Sequence, residues 1–172
     1  MKFLRALAIP ALTAGSLIAV PQAAYGVVDQ VCAVEEVVTY NPPLTDTPQT
    51  VTVTVHGELF NCTSTSNPTG SYTEIVTVPN SSCLSLLGSS SGVRTYVWRN
   101  STTYPASVFS YNRTVNRVDA LVEATFLGSI TSGSYTPSPA KEVVFATAPS
   151  PIACQTTGVS SVTSVGAVSI GV

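Results

Sequence analysis

A strict alternation of threonine and valine runs through residues 50–56 and ends in His56. Successive side chains of a β-strand point to opposite faces, so this pattern places the valines on one face and the threonines on the other. β-Branched side chains also favour extended backbone over helix. The alternation therefore predicts a strand of an antiparallel sheet that has one face in the core and one face in water.

Strand signals recur along the rest of the chain, separated by turns rich in Gly, Pro and Asn. Asp119 and Ala120 predict a tight connection between two of these strands, and no convincing helical pattern follows residue 26. The signals predict an all-β domain of about eight strands, either an antiparallel β-sandwich or a flattened barrel. The further predicted strands are residues 28–40, 72–78, 93–99, 107–118, 121–131, 142–147 and 167–172.

The amino-terminal residues have the layout of a secretory signal peptide. Lys2 and Arg5 precede an apolar stretch over residues 6–20, and small residues follow. Cleavage is predicted after Gly26, with cleavage after Ala24 as the alternative. An apolar run of about 15 residues is shorter than the roughly 20 that a membrane-spanning helix needs. The sequence thus predicts a signal peptide over residues 1–26 and one secreted domain over residues 27–172, with no membrane span in the mature chain.

Charge argues against one class of partner. Only 9% of the residues are charged, against roughly 25% in an average soluble domain. Without residues 1–26 the chain keeps five basic residues against nine acidic ones, a formal net charge of −4. Nucleic-acid binding requires a clustered basic surface, so this function is not expected.

The four cysteines, Cys32, Cys62, Cys83 and Cys154, all lie in the predicted mature domain. An even number in an exported chain predicts two disulfides, for which three connectivities exist. No pair has C-x-x-C spacing and the chain has a single histidine, so no metal site is predicted.

The connectivity follows from the first two predicted strands. If they form a hairpin around a proline-rich loop at residues 41–49, Cys32 falls opposite Cys62. We therefore expect Cys32–Cys62 and, by subtraction, Cys83–Cys154. Gly57 is expected to mark a β-bulge, because the apolar positions shift to Phe60 beyond it.

Catalytic motifs are weak in this chain. Residues 88–92 match G-x-S-x-G, but no helix follows and His56 precedes the motif, whereas the hydrolase order places the histidine after the serine. The segment is expected to be a flexible loop. Glu35 and Glu36 are adjacent and point to opposite faces of a strand. No catalytic residue and no cofactor are predicted, and a hydrolase would need carboxylates that converge from distant strands.

Aromatic residues concentrate in one region of the sequence. Tyr96 and Trp98 share a strand face, and Trp98 is expected in the core because large aromatic side chains are mostly buried. Tyr96, Tyr104 and Tyr111 are the candidate ligand-facing residues. Arginines are interspersed in the same region and suggest a modestly basic face or protected strand edges. They are Arg94, Arg99, Arg113 and Arg117.

Four stretches carry a resemblance: GVRTYVW at residues 92–98, SYNRTVNRV at 110–118, GSITSG at 128–133 and ACQTTGV at 153–159. With the valine-rich terminal strand, they resemble a group of small exported actinobacterial β-sandwich proteins of unknown function. The resemblance covers about half of the predicted mature chain. It implies a secreted β-sandwich without an established activity, and by analogy a part of a larger secreted assembly.

These observations favour a secreted, non-enzymatic binding or structural module that acts through a secreted protein partner, by pairing of an exposed strand edge. The alternative is a carbohydrate- or cell-wall-binding domain that recognises a cell-surface polymer through the tyrosine region. A hydrolase with a non-local site ranks third. A long unpaired edge would support the first hypothesis, an exposed aromatic pair the second, and converging carboxylates in a cleft the third.

Overall fold

A computed structural model describes residues 28–65, 69–85, 87–99 and 102–171. The predicted signal peptide, residues 1–26, lies outside these residues. For the residues that are described, the all-β prediction is confirmed. Eight strands and one short helix make up the described chain. They are β1 (Gln30–Leu44), β2 (Gln49–Phe60), β3 (Gly70–Ser81), β4 (Gly88–Trp98), β5 (Ser107–Val118), β6 (Leu121–Ser132), β7 (Pro139–Thr147), α1 (Pro151–Gln155) and β8 (Val159–Ile170).

The strands form one antiparallel sheet that closes on itself as a barrel in the order β1 to β8. Each strand pairs with the next in the chain, and β8 returns to pair with β1 from Gln30↔Ile170 to Leu44↔Val159. The amide of Asp29 donates to the carbonyl of Ile170 at 2.9 Å and extends this closing ladder. Of the two predicted architectures, the barrel is therefore the one observed.

The ladder between β3 and β4 is much shorter than the others. Only Gly70↔Trp98 and Ser71↔Val97 are in register between these strands, whereas β2 pairs with β3 along most of its length and β4 with β5 from Gly88 onward. Beyond these two pairs the facing edges of β3 and β4 separate. We call this gap the seam.

The two disulfides join Cys32 to Cys62 and Cys83 to Cys154, the connectivity expected from the hairpin argument. The first links β1 to the end of β2, and the second ties the β3–β4 connection to α1. Asp46 lies close to the second pair, but the disulfide leaves those sulfurs no thiolate with which to bind a metal. The helix α1 itself was not predicted. It is a single short turn that begins at Pro151, a residue well suited to the first helical position.

Three local predictions are wrong. Gly57 is not a bulge, because its register to both neighbouring strands is continuous. A Cβ at Gly57 would lie 2.0 Å from the ring of Tyr72, so the glycine makes room for that ring. Beyond it, Leu59 faces inward and Phe60 outward. The predicted loop at residues 88–92 is strand, since β4 begins at Gly88, and the predicted loop at residues 41–49 is confined to residues 45–48, since β1 extends to Leu44.

Large side chains fill one end of the barrel interior, which we call the packed half. Tyr96 stacks on Phe109 with ring centroids 5.8 Å apart. Trp98 is 1% exposed and donates from Nε1 to the Ser107 hydroxyl at 2.8 Å. This dense packing confirms Trp98 as a core residue. The packed half is formed by Leu59, Trp98, Phe109, Ile130, Val168 and Ile170.

Candidate functional site

The other end of the barrel interior contains a cavity of about 270 Å³, which we call the hollow half. All eight strands contribute to its wall. The volume lies just below the range of about 300–1,000 Å³ that is typical of small-molecule sites. Small apolar side chains dominate the wall, among them Val38, Val53, Val76, Val115, Val122 and Ala124.

The cavity exists because the inward-facing residues are short. On β4, Ser90 and Gly92 pair with Arg113 and Tyr111 of β5, which line the cavity, whereas the other end of β4 places Tyr96 and Trp98 in the core. The interior of an eight-stranded barrel is just wide enough for side chains to fill or for one small ligand to occupy. With valine, alanine, serine and glycine at these positions, the side chains do not meet across the barrel.

A layer of polar side chains separates the two halves, and we call it the polar layer. Arg94 lies at its centre and is 2% exposed. Its Nε donates to Oε2 of Glu74 at 3.3 Å, which carries a side-chain contact across the seam from β4 to β3. Its Nη1 donates to Glu142 and lies 3.4 Å from Oε2 of Glu36. The full layer comprises Glu36, Tyr72, Glu74, Arg94, Tyr96, Tyr111 and Glu142.

Tyrosine hydroxyls complete the hydrogen bonding of the three carboxyl groups. Tyr72 donates to Glu36 at 2.8 Å and lies 3.0 Å from Glu142. Tyr96 and Tyr111 donate at 2.6 Å to Glu142 and to Glu74 respectively. Because charged groups in a barrel interior are costly without partners, this mutual saturation is what allows the layer to be buried.

Two aromatic rings hold the guanidinium group of Arg94 from its faces. Its Cζ lies 4.1 Å from the centroid of the Tyr72 ring and 4.6 Å from that of the Phe126 ring. A cation over an aromatic face is attracted by the ring quadrupole, more strongly where water is excluded. A third ring, that of Tyr111, also lies near Arg94. Gly92 makes room for it, because a Cβ at this position would lie 2.4 Å from the Tyr111 hydroxyl.

Burial shifts the ionisation of the layer. It raises the pKa of Glu36, an effect that the Arg94 charge opposes and Glu142 reinforces. Burial also raises the pKa of Tyr72 and of Tyr96, and Glu142 adds to both shifts. For Arg94 burial alone would lower the pKa, but Glu142, Tyr72 and Glu36 raise it well above its usual value. Arg94 is therefore a permanent cation, and the pKa of Glu36 lies above that of a free carboxyl group.

A second arginine, Arg113, lines the cavity from β5 beyond the polar layer. Its Nε is buried and has no hydrogen-bond partner among the described residues. Tyr40 lines the cavity as well. Burial raises the pKa of Tyr40 to about 12, and the nearby charge of Arg113 partly opposes this shift. The wall of the hollow half thus carries one buried donor that the described chain leaves unused.

The candidate ligand-facing tyrosines lie in three different places. Tyr111 borders the cavity. Tyr96 is 0% exposed and belongs to the interior, while Tyr104 packs against the aromatic core from its edge. Tyr96 and Trp98 do share a strand face, but that face points into the barrel. The aromatic pair on which the carbohydrate hypothesis rested is therefore buried.

The arginines do not form one basic face. Arg99 and Arg117 are exposed, whereas Arg94 and Arg113 point into the barrel. A signal for this was present in the sequence, because Arg94 shares strand parity with Tyr96 and Trp98. His56 is exposed and lies 3.1 Å from both Thr73 and Glu58.

Three carboxyl groups converge inside the barrel. Glu36, Glu74 and Glu142 meet around one guanidinium group, and each accepts a hydrogen bond from a tyrosine. Glu142 is fully buried, while Glu74 retains 18% exposure of its side chain. The cluster therefore forms the floor of the cavity, and only part of it faces the open space.

Comparisons of the chain with protein-family models, curated proteins and solved structures found no match. Within the part of the chain that the structure describes, no helix is long and apolar enough to cross a membrane.

Proposed function

We propose that this protein is a secreted binding protein that holds a small, mainly apolar molecule in the hollow half of its barrel. The cavity of about 270 Å³ carries this proposal, because its wall is apolar and its floor is a saturated polar layer. Small-molecule sites typically combine such a wall with a few placed polar groups. The disulfides support an oxidising compartment, and the predicted signal peptide supports export.

The arrangement of the cavity also supports binding over packing as its role. Water against an apolar wall finds few hydrogen-bond partners, so an apolar ligand that displaces it gains free energy. The polar layer is braced by Arg94 and two aromatic faces, which gives the cavity a floor that is formed before any ligand arrives. A preformed site loses less entropy on binding.

The test is binding of an uncharged apolar probe, 1-octanol, followed by calorimetry and by amide chemical shifts. Ala124 faces the cavity, so Ala124→Phe should fill it and weaken binding by about tenfold or more. Leu127→Phe is the matched control, since Leu127 lies on the same strand and is exposed. Unchanged affinity in the Ala124→Phe protein, or shifts confined to the outer surface, would contradict the proposal.

A second candidate function has its own observation. The seam leaves facing edges of β3 and β4 without strand partners beyond Ser71↔Val97, and an unpaired edge is what strand addition by a protein partner requires. Exposed apolar side chains flank the seam, Ile75 on β3 and Val93 on β4. We therefore retain a secreted protein partner, bound as an added strand, as the alternative.

Native co-purification from culture supernatant, followed by mass spectrometry, tests this alternative. A stoichiometric partner should be lost in an Ile75→Lys or a Val93→Lys variant, because lysine beside the edge opposes strand addition. Leu127→Lys on β6 is the control, since Leu127 is comparably exposed at 60% against 69% for Ile75. Equal retention by all three variants would count against pairing at the seam.

A further inference from the structure

The hollow half contains a guanidinium group whose charge the described chain does not balance. Arg113 faces the cavity two positions beyond Tyr111 on β5. The ion pairs of the described residues involve His56 and Arg94, and none includes Arg113. Arginine is always charged in proteins, so an unpaired guanidinium group borders an apolar space.

The hydrogen bonding of Arg113 is incomplete as well. Its Nε is buried and has no acceptor within the described chain. Buried donors without partners are rare in folded proteins and call for a specific explanation. A carboxylate bound in the cavity would balance the charge of Arg113, because carboxylates pair with the planar guanidinium fork.

We propose that the natural ligand is a single-chain apolar molecule that ends in a carboxylate, and that Arg113 binds this carboxylate. The inference rests on the proposed function and names the ligand class of the same cavity. The valine-lined wall holds the apolar chain. Tyr40 lines the same cavity and offers a hydroxyl group as a second donor.

Arg94 of the polar layer does not offer a second binding site for the carboxylate of the ligand. The charge of Arg94 is already opposed by Glu36, Glu74 and Glu142. Glu74 is the carboxylate that reaches the cavity, and it accepts hydrogen bonds from Arg94 and from Tyr111. Each oxygen of Glu74 already accepts one hydrogen bond, while the Nε of Arg113 donates none within the described chain. An ammonium ligand directed at Glu74 is the opposite prediction, and the experiment below separates the two.

Three probes with the same eight-carbon chain distinguish the charges: octanoate, 1-octanol and octylammonium. Titration calorimetry at neutral pH should show octanoate binding about tenfold more tightly than 1-octanol, as expected for one charge-assisted hydrogen-bonded pair. Octylammonium should bind most weakly. The octanoate preference should decline when the pH falls low enough to protonate the probe, a measurement on the unaltered protein that needs no variant.

Substitutions of Arg113 test whether this residue causes the preference for octanoate. Arg113→Met should abolish the preference for octanoate over 1-octanol, and Arg113→Lys should restore part of it because the charge remains. Arg117→Met is the control, since Arg117 lies on the same strand and is exposed; its preference should equal that of the unaltered protein. Circular dichroism verifies the fold of each variant.

Two outcomes overturn the inference separately from the proposed function. Equal binding of octanoate and 1-octanol, or tightest binding of octylammonium, would refute the carboxylate ligand and leave an apolar-ligand barrel intact. A preference for octanoate that persists in a folded Arg113→Met protein would refute the role of Arg113. Failure of all three probes to bind would remove the proposed function together with the inference.

Discussion

The packed half and the hollow half are built on the same eight strands and the same alternation of side chains. They differ in the size of the residues that point inward. On β8, Val168 and Ile170 meet aromatic and aliphatic partners in the packed half, while Val162 borders the cavity. On β4, Trp98 lies in the packed half and Ser90 lies in the hollow half. Side-chain volume therefore decides which length of an eight-stranded barrel is solid.

The contrast also assigns a role to the polar layer. If apolar side chains alone separated the packed half from the cavity, the cavity would have no sharply defined floor. Here Arg94 and its three carboxyl partners stop the packed half at one level, and Phe126 covers the guanidinium group. Buried polar networks that are fully satisfied rigidify the structure around them. The halves are thus separated by charge as well as by volume.

Removal of the central cation should give the largest effect. Arg94→Met leaves the buried carboxyl groups of Glu36 and Glu142 and the partly exposed one of Glu74 without their counter-charge, which costs about 3–5 kcal/mol for a buried pair. We expect a loss of this size in the free energy of unfolding, measured by urea titration with the disulfides intact. Arg99→Met is the control, because Arg99 is exposed. Similar stabilities for the two variants would contradict the central role of Arg94.

A matched pair of truncations on β8 compares the halves directly. Val168→Ala in the packed half should cost about 2 kcal/mol, for lost burial and for the cavity it creates. Val162→Ala in the hollow half should cost less than about 0.5 kcal/mol, because the side chain already borders open space. Thermal and urea unfolding of both variants measure the difference. Equal losses would mean that the hollow half is packed in solution.

A smaller and pH-dependent effect is expected at Glu36. Its pKa is raised by burial, so the folded protein holds this proton more tightly than the unfolded chain, whose reference pKa is 4.5. The stability it contributes is complete below that pH and is lost as the pH rises through the folded-state pKa.

The free-energy advantage of the unaltered protein over Glu36→Gln should therefore shrink as the pH rises above 4.5. Urea unfolding across the acidic and neutral range, followed by Trp98 fluorescence, measures it. An advantage that grows with pH would instead show that the Glu36 carboxylate is stabilised by Arg94 more than it is destabilised by burial.

The sequence predicted the strands best where neighbouring segments pair locally. The predicted strand at residues 107–118 coincides with β5, and Asp119 forms the tight connection to β6 with a positive φ of 55°. Turn chemistry and period-2 alternation both act over a few residues, so they can be read directly. The short valine alternation at residues 50–56 likewise lies within β2.

The candidate site was far less predictable. Glu36, Arg94 and Glu142 lie on three strands that are not neighbours, and only the closed register brings them together. The serines and glycines at the start of β4, from Gly88, predict a loop because they have low strand propensity. Pairing with β5 overrides that propensity, and the small residues suit a wall that must leave space.

The ladder between the first and last strands has a consequence for the order of folding. β1 pairs with β8, whose last residues lie near residue 170, so closure of the barrel joins the most distant parts of the described sequence. Such non-local pairing is slow compared with hairpin formation. Without this ladder the barrel is not closed and the wall of the cavity is incomplete. The proposed ligand would be enclosed by all eight strands and would bind only the closed form, so its concentration should bias closure toward the native ring.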